Sequence, residues 1–452
     1  MRCDSNRALI GALVLIVVTS TTGAVRPARA CGPDFPLELL ADRDAVIAGL
    51  PEGIFVDEVA ALVPAHAPYR PREMGEPAPP LPPPGRLEAA LYRRGAEAFH
   101  AHQREEAARW FRAVLELPAP LRRQLSTSAA YSLARVNVDG GGVAACQQVR
   151  ALVDAGFVDP DGLAAASLRR EALLTADGAR ARALQAQLAA LGDAAAAQAL
   201  LREVRAAVAD GGEDELLADP LGQRLLAAYL YARDGELSDE QRARVWQAVA
   251  ALPRMDGADR LAAAAYRSGD FARAEALAAR APDSAINRWV RAKLAARTGD
   301  AVVASDLLCS AAEALPTTSA CPDFTCGEYL ARERAHAECA TLLLAADRPA
   351  AAMRAAWAAR RTYRDALYLA ERVLTLDELG QFVATLAEDD GVDPDAWDYG
   401  RVTVRSMRAL YGRRLMRVGR YAQALPWLPG DERLGAATYA LTRAAGARAG
   451  TR

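Results

Sequence analysis

From Leu87 to the C-terminus, apolar and alanine side chains recur at intervals of three and four residues, the spacing that lines one face of an α-helix. The periodicity breaks at short polar turns, and the same unit returns. "AYRSGDFARAEALAARAP", "WVRAKLAARTGDAVVASDLLCSAAEALP" and "YGRRLMRVGRYAQALPWLP" each read as a helix, a Gly-centred turn and a second helix. No stretch alternates apolar and polar residues over a useful length, which excludes a sandwich, a barrel or a doubly wound sheet and predicts an all-α chain. A lone hairpin of this kind cannot bury its own apolar face and must stack on its neighbours. The pattern therefore predicts an α-solenoid of antiparallel helical hairpins, an object that offers an extended binding surface.

The landmarks inside the hairpins carry a family resemblance. In "LEAALYRRGAEAFHAHQREEAARWFRAVLELPAP", Gly95 and Ala107 are small where two helices would cross, Phe111 is bulky, and Pro118 and Pro120 close the unit. Gly269, Phe271 and Ala274 repeat the turn landmarks, as do Gly299, Ala301 and Ala304 with Leu308, Ala311 and Pro316 following. Gly412, Gly419, Tyr421 and Ala424 form a further unit, and a weaker one runs through Cys339, Ala351, Ala355 and Ala358. The chain resembles degenerate tetratricopeptide-repeat proteins of an exported bacterial type, over a little more than half its length. That resemblance implies a right-handed superhelix. It also implies that ligands lie against the first helix of each unit, a stripe on which Trp289, Lys293 and Arg297 fall, together with Arg413 and Arg417 in the last clear unit. Such a cationic stripe suits a protein or peptide partner with an acidic segment.

Residues 1–30 read as a signal peptide, with Arg2 and Arg7 flanking an apolar run from Ala8 to Val18 and an Ala28-Arg29-Ala30 cleavage pattern. The run is too short to span a bilayer. Cleavage would expose Cys31, which raises lipidation at Cys31 as an alternative to an ordinary secreted start. Residues 31–63 suggest a short helical N-terminal segment, too small to stand alone. Residues 64–86 form a Pro-rich linker, residues 87–250 a degenerate helical repeat region, and residues 251–452 a tetratricopeptide-like repeat region. Gly140, Gly141 and Gly142 read as a flexible joint, and Ala387–Gly400 as a soft boundary. Asp159-Pro160-Asp161 and Asp393-Pro394-Asp395 read as helix starts, with Asp as cap and Pro at the first helical position.

Composition adds little chemistry. Without residues 1–30 the chain has 51 basic and 56 acidic groups, net −5, which does not indicate a nucleic-acid partner. Lys293 is the only lysine. Six cysteines remain after the signal, and an even number in an exported chain favours disulfides over a zinc site, because no closely spaced Cys pair is present. If residues 327–344 form one helix, Cys326 and Cys339 stand about 19 Å apart, too far to bond. The preferred pairing is Cys309 with Cys339 and Cys321 with Cys326.

No H-E-x-x-H, G-x-S-x-G or phosphate-binding loop occurs, and no Glu-Ser dipeptide, the mark of exported solenoid transglycosylases. His100 and His102 point apart on a helix and read as solvated, not as metal ligands. The sequence thus reads as a non-enzymatic protein without metal or cofactor. It is an exported scaffold for protein–protein interactions in the cell envelope, periplasmic or at the cell surface, without a transmembrane span. Two alternatives stand beside it: an outer-membrane lipoprotein subunit of an envelope assembly or export complex, and a helical-repeat protein that binds or processes glycans.

Overall fold

The computed structural model describes residues 39–72, 82–136, 140–318, 331–360, 363–387 and 402–449, and every regular element among them is helical. Two short helices come first, α1 (Arg43–Ala48) and α2 (Phe55–Ala60). The next run is α3 (Arg86–His100), α4 (Arg104–Glu116), α5 (Ser126–Val136), α6 (Gly142–Asp154), α7 (Leu163–Leu174), α8 (Gly178–Ala190), α9 (Ala194–Asp210) and the short α10 (Glu213–Leu217). Then come α11 (Pro220–Arg233), α12 (Asp239–Ala250), α13 (Ala258–Arg267), α14 (Phe271–Arg280), α15 (Ala285–Arg297) and α16 (Ala301–Ala314). The described chain ends with α17 (Ala331–Ala345), α18 (Pro349–Ala358), α19 (Asp365–Tyr368), α20 (Leu376–Ala384), α21 (Val404–Arg417), α22 (Tyr421–Ala424) and α23 (Gly430–Ala449). No described helix is long and apolar enough to cross a membrane.

Packing is largely sequential. From α3 to α9 each helix packs on the next, and from α15 to α18 the same holds, while α11 also packs on α13 and α13 on α15, each across an intervening helix. Glycine turns separate several of these helices. Gly269 and Gly299 take φ of 83° and 84°, which glycine adopts without the Cβ penalty of other residues. The aspartate after each then caps the next helix, Asp270 accepting from the Arg273 amide and Asp300 from that of Val303, both at 3.0 Å.

Helix crossings depend on missing side chains. A Cβ on Gly95 would lie 2.7 Å from the Phe111 ring, and one on Gly412 would lie 2.9 Å from Leu428. The largest apolar cluster runs from Leu50 to Met407 and includes residues on both sides of position 250, while a second gathers around Phe111 and Val114.

Several local expectations change. Asp159 does serve α7, accepting from the amides of Leu163 (2.7 Å) and Ala164 (2.8 Å), but it does so from four residues back. Pro160 therefore lies ahead of the helix, not at its first position. Gly142 opens α6, which packs on α5. Residues 393–395 lie outside the described residues, as do residues 388–400 of the acidic loop.

Among the cysteines, Cys309 of α16 and Cys339 of α17 form a disulfide with Cα atoms 5.1 Å apart, the expected pairing. Cys146 departs from the expectation of paired cysteines: it is a free thiol, fully buried in the cluster around Phe111, and burial pushes it up to about 11. Cys31, Cys321 and Cys326 lie outside the described residues.

Candidate functional site

Residues 39–72 form an arm that lies across the helices in the reverse of their chain order. Its α1 packs on α15 and α17, its α2 on α11, α8 and α9, and the turn Ala67–Tyr69 on α6 and α7. The cause is compositional: Leu39, Val46, Leu50, Phe55, Val59 and Leu62 are too apolar for a free segment of this length, and all are buried.

Side chains of the helices hold the arm by its backbone. The Asp365 carboxylate accepts from the amides of Leu39 and Leu40, both at 3.0 Å. The Tyr266 hydroxyl donates to the Ala48 carbonyl (2.9 Å), and Arg224 donates to that of Leu62 (2.6 Å). At Gly53 the arm passes so close to Tyr231 that a Cβ would lie 2.4 Å from the ring. At the far end, the Tyr69 hydroxyl donates to Asp154 (2.7 Å), which also bonds His66 (3.0 Å), and Arg72 pairs with Asp161 (2.9 Å). The segment read from sequence as a linker is thus docked at least as far as Arg72.

This arm overturns the expected exposed stripe on α15. Trp289 and Lys293 share a face of the helix, but their exposures are 0% and 1%. The Lys293 ammonium donates to the Val46 carbonyl of the arm (2.6 Å) and pairs with Glu338 Oε2 (2.8 Å). Trp289 Nε1 donates to the same oxygen (2.8 Å), and Arg334 reaches Glu338 Oε1 at 2.7 Å. Burial pulls the Lys293 amine below its ordinary range, against the attraction of Glu338.

The remaining members of the stripe do not join this pair as a surface. Arg297 is exposed and covers the Phe271 ring, its guanidinium carbon 3.4 Å from the centroid. Arg413 and Arg417, on α21, pair with Glu432 and Glu371 of this chain. The five residues form no single open surface, because the family-like register specifies a helix face and not what covers it.

The two largest concave spaces among the described residues lie beside the arm. Cavities of about 770 and 730 Å³ flank it, and Glu58, Ala61, Arg260 and Ser284 line both. Arg260 bridges the arm to α13, pairing with Glu58 at 2.9 Å and with its neighbour Asp259. Ser284, the N-cap of α15, donates its hydroxyl to Asp259. Burial raises the Glu58 carboxyl despite Arg260.

The larger cavity also presents Arg224, Arg254, Arg273 and Arg280 over a floor that includes Trp246 and Met255. Its walls combine guanidinium donors with apolar surface, an arrangement that can hold an anionic ligand bearing apolar groups. Among the described residues no group of three His, Cys, Asp or Glu side chains is placed to hold a metal. Sequence reasoning named neither the arm nor these arginines as a site; the run of apolar residues between Leu39 and Leu62 was the available signal. No protein-family model matches the chain, and no curated protein and no solved structure does.

Proposed function

We propose that this chain is an exported, non-enzymatic helical-repeat scaffold that binds protein partners. The observation that carries the reading is the arm: several helices take up a separate, partly helical segment of polypeptide, gripping its backbone through Asp365, Tyr266 and Arg224 and burying its apolar side chains. A surface that holds one such segment has the chemistry to hold others beside it. The repeated Gly-Asp turns and the crossings at Gly95 and Gly412 support stacked hairpins of the tetratricopeptide kind. The Cys309–Cys339 disulfide is consistent with an oxidising compartment.

The test is affinity capture of the tagged full chain from its native cells after brief cross-linking, followed by direct binding of each enriched protein in purified form. The expected result is at least one partner that binds the purified chain saturably. Enrichment of glycan without protein, or of no protein that rebinds, would refute the scaffold reading.

A further inference from the structure

We infer that the cavity of about 770 Å³ is a docking site for an acidic, leucine-like peptide segment of a partner protein. This rests on the scaffold reading and adds a place and a chemistry to it. The charges are unevenly satisfied. Of the five guanidinium groups on the lining, Arg260 is matched by Glu58 and Asp259. Arg273 is matched by Asp270 at 3.0 Å, and its guanidinium lies over the Trp246 ring, 4.9 Å from the centroid.

The other three are not matched by carboxylates. Arg224 donates to the Leu62 carbonyl, and its Nε is buried without a hydrogen-bond partner. Arg280 donates to the Ala276 carbonyl of its own helix, at 3.2 Å, and makes no ion pair among the described residues. Arg254 is exposed and makes no ion pair among the described residues. Against them stands one further lining carboxylate, Asp256. A locally positive hollow on a chain whose portion after residue 30 carries net −5 marks where an anion would be drawn. Guanidinium forks match carboxylates in geometry as well as in charge.

The floor decides between kinds of anion. Leu252, Met255 and Leu277 give the cavity apolar surface that a polyuronate chain would leave unmatched, while acidic peptides with interspersed leucines meet both halves. The flexible Met255 thioether adapts to side chains of varied shape.

Fluorescence anisotropy of the full chain with a labelled dodecapeptide, Glu-Leu-Asp repeated four times, tests the site. Saturable binding at low salt is expected, weakened roughly tenfold or more by the double reversal R254E/R280E and by added salt. Reversal of a distant exposed arginine, R93E, should leave it unchanged, and circular dichroism should show both variants folded. Equal binding of a Lys-Leu-Arg peptide, indifference to R254E/R280E, or binding of polygalacturonate in place of the peptide would each overturn the inference. Partner capture separates the two levels: if proteins are captured equally by wild type and R254E/R280E, the cleft falls and the scaffold stands. If none is captured by either, the scaffold reading itself falls.

Discussion

Replacing Glu338 should cost more than replacing the lysine it neutralises. Glu338 is 1% exposed and receives three donors, from Lys293, Trp289 and Arg334. In E338Q the side chain keeps its shape but loses its charge, and Lys293 is left in the interior with only neutral acceptors, the Val46 carbonyl among them. Breaking a buried pair from one side typically costs about 3–5 kcal/mol, since the stranded ion must stay unpaired or give up its proton. In K293M the stranded partner is not stranded: Arg334 and Trp289 still hold Glu338, at 2.7 and 2.8 Å. What is lost is the lysine's own contact with Glu338 and its bond to the arm carbonyl, at about 1.5–3 kcal/mol for a hydrogen bond that involves a charged group.

The double variant E338Q/K293M should therefore be more stable than E338Q alone. Urea unfolding followed by both circular dichroism and tryptophan fluorescence measures all four species, and coincidence of the two probes checks that one transition is being read. Equal costs for E338Q and K293M, or a double variant as unstable as the sum, would refute the buried, shared carboxylate. The amine adds a pH signature. Its folded value lies below the ordinary 10.5, so the unfolded state binds the extra proton in that window and stability rises as pH climbs toward 10.5, a slope that K293M should lack.

Three further outcomes follow from single contacts. Gly95→Leu should destabilise by about 1–3 kcal/mol or more by forcing a side chain into the Phe111 ring, seen as a lower melting temperature with helical content retained before melting. Burial holds His336 below its ordinary 6.5, so its contribution is complete above that pH and is lost as pH falls toward the folded value; His336→Gln should flatten the acid limb of the stability curve. Non-reducing peptide mapping should recover Cys309 joined to Cys339, and breaking this 30-residue loop by C309S/C339S should cost about 3–4 kcal/mol in the chain-entropy estimate, while Cys146 resists thiol reagents until the protein unfolds.

The helices and their turns were legible because both are local. Apolar spacing specifies a helix face, and the Gly-Asp pairs at 269–270 and 299–300 specify a left-handed turn followed by a cap. The same pair occurs at 192–193, in the region where no repeat landmark was read. There Gly192 has φ 87° and Asp193 accepts from the Ala195 and Ala196 amides, so the signal was present and went unused. The crossings were legible for a related reason: Gly95 with Phe111, and Gly412 with Leu428, are contacts between residues only 16 positions apart in the chain, with no long-range information needed.

Exposure was not legible, and α15 shows why. A spacing of four placed Trp289, Lys293 and Arg297 on successive turns, yet whether that face meets water depends on Val46, which is 247 positions from Lys293 in the chain. A lone cation beside a tryptophan reads as a ligand stripe if the face is open and as an anchor if a segment lies over it. The deciding fact was the composition of residues 39–62, whose buried apolar side chains need a surface that an isolated pair of short helices cannot supply. Once that demand is set beside the only lysine of the chain, the lysine reads as a capping donor for the arm carbonyl. The open chemistry then falls where the arm leaves room, at arginines from three separate parts of the helical array: Arg224 on α11, Arg254 before α13, and Arg280 on α14. No spacing rule connects those positions, because their proximity is created by helix stacking and by the arm that forms one wall.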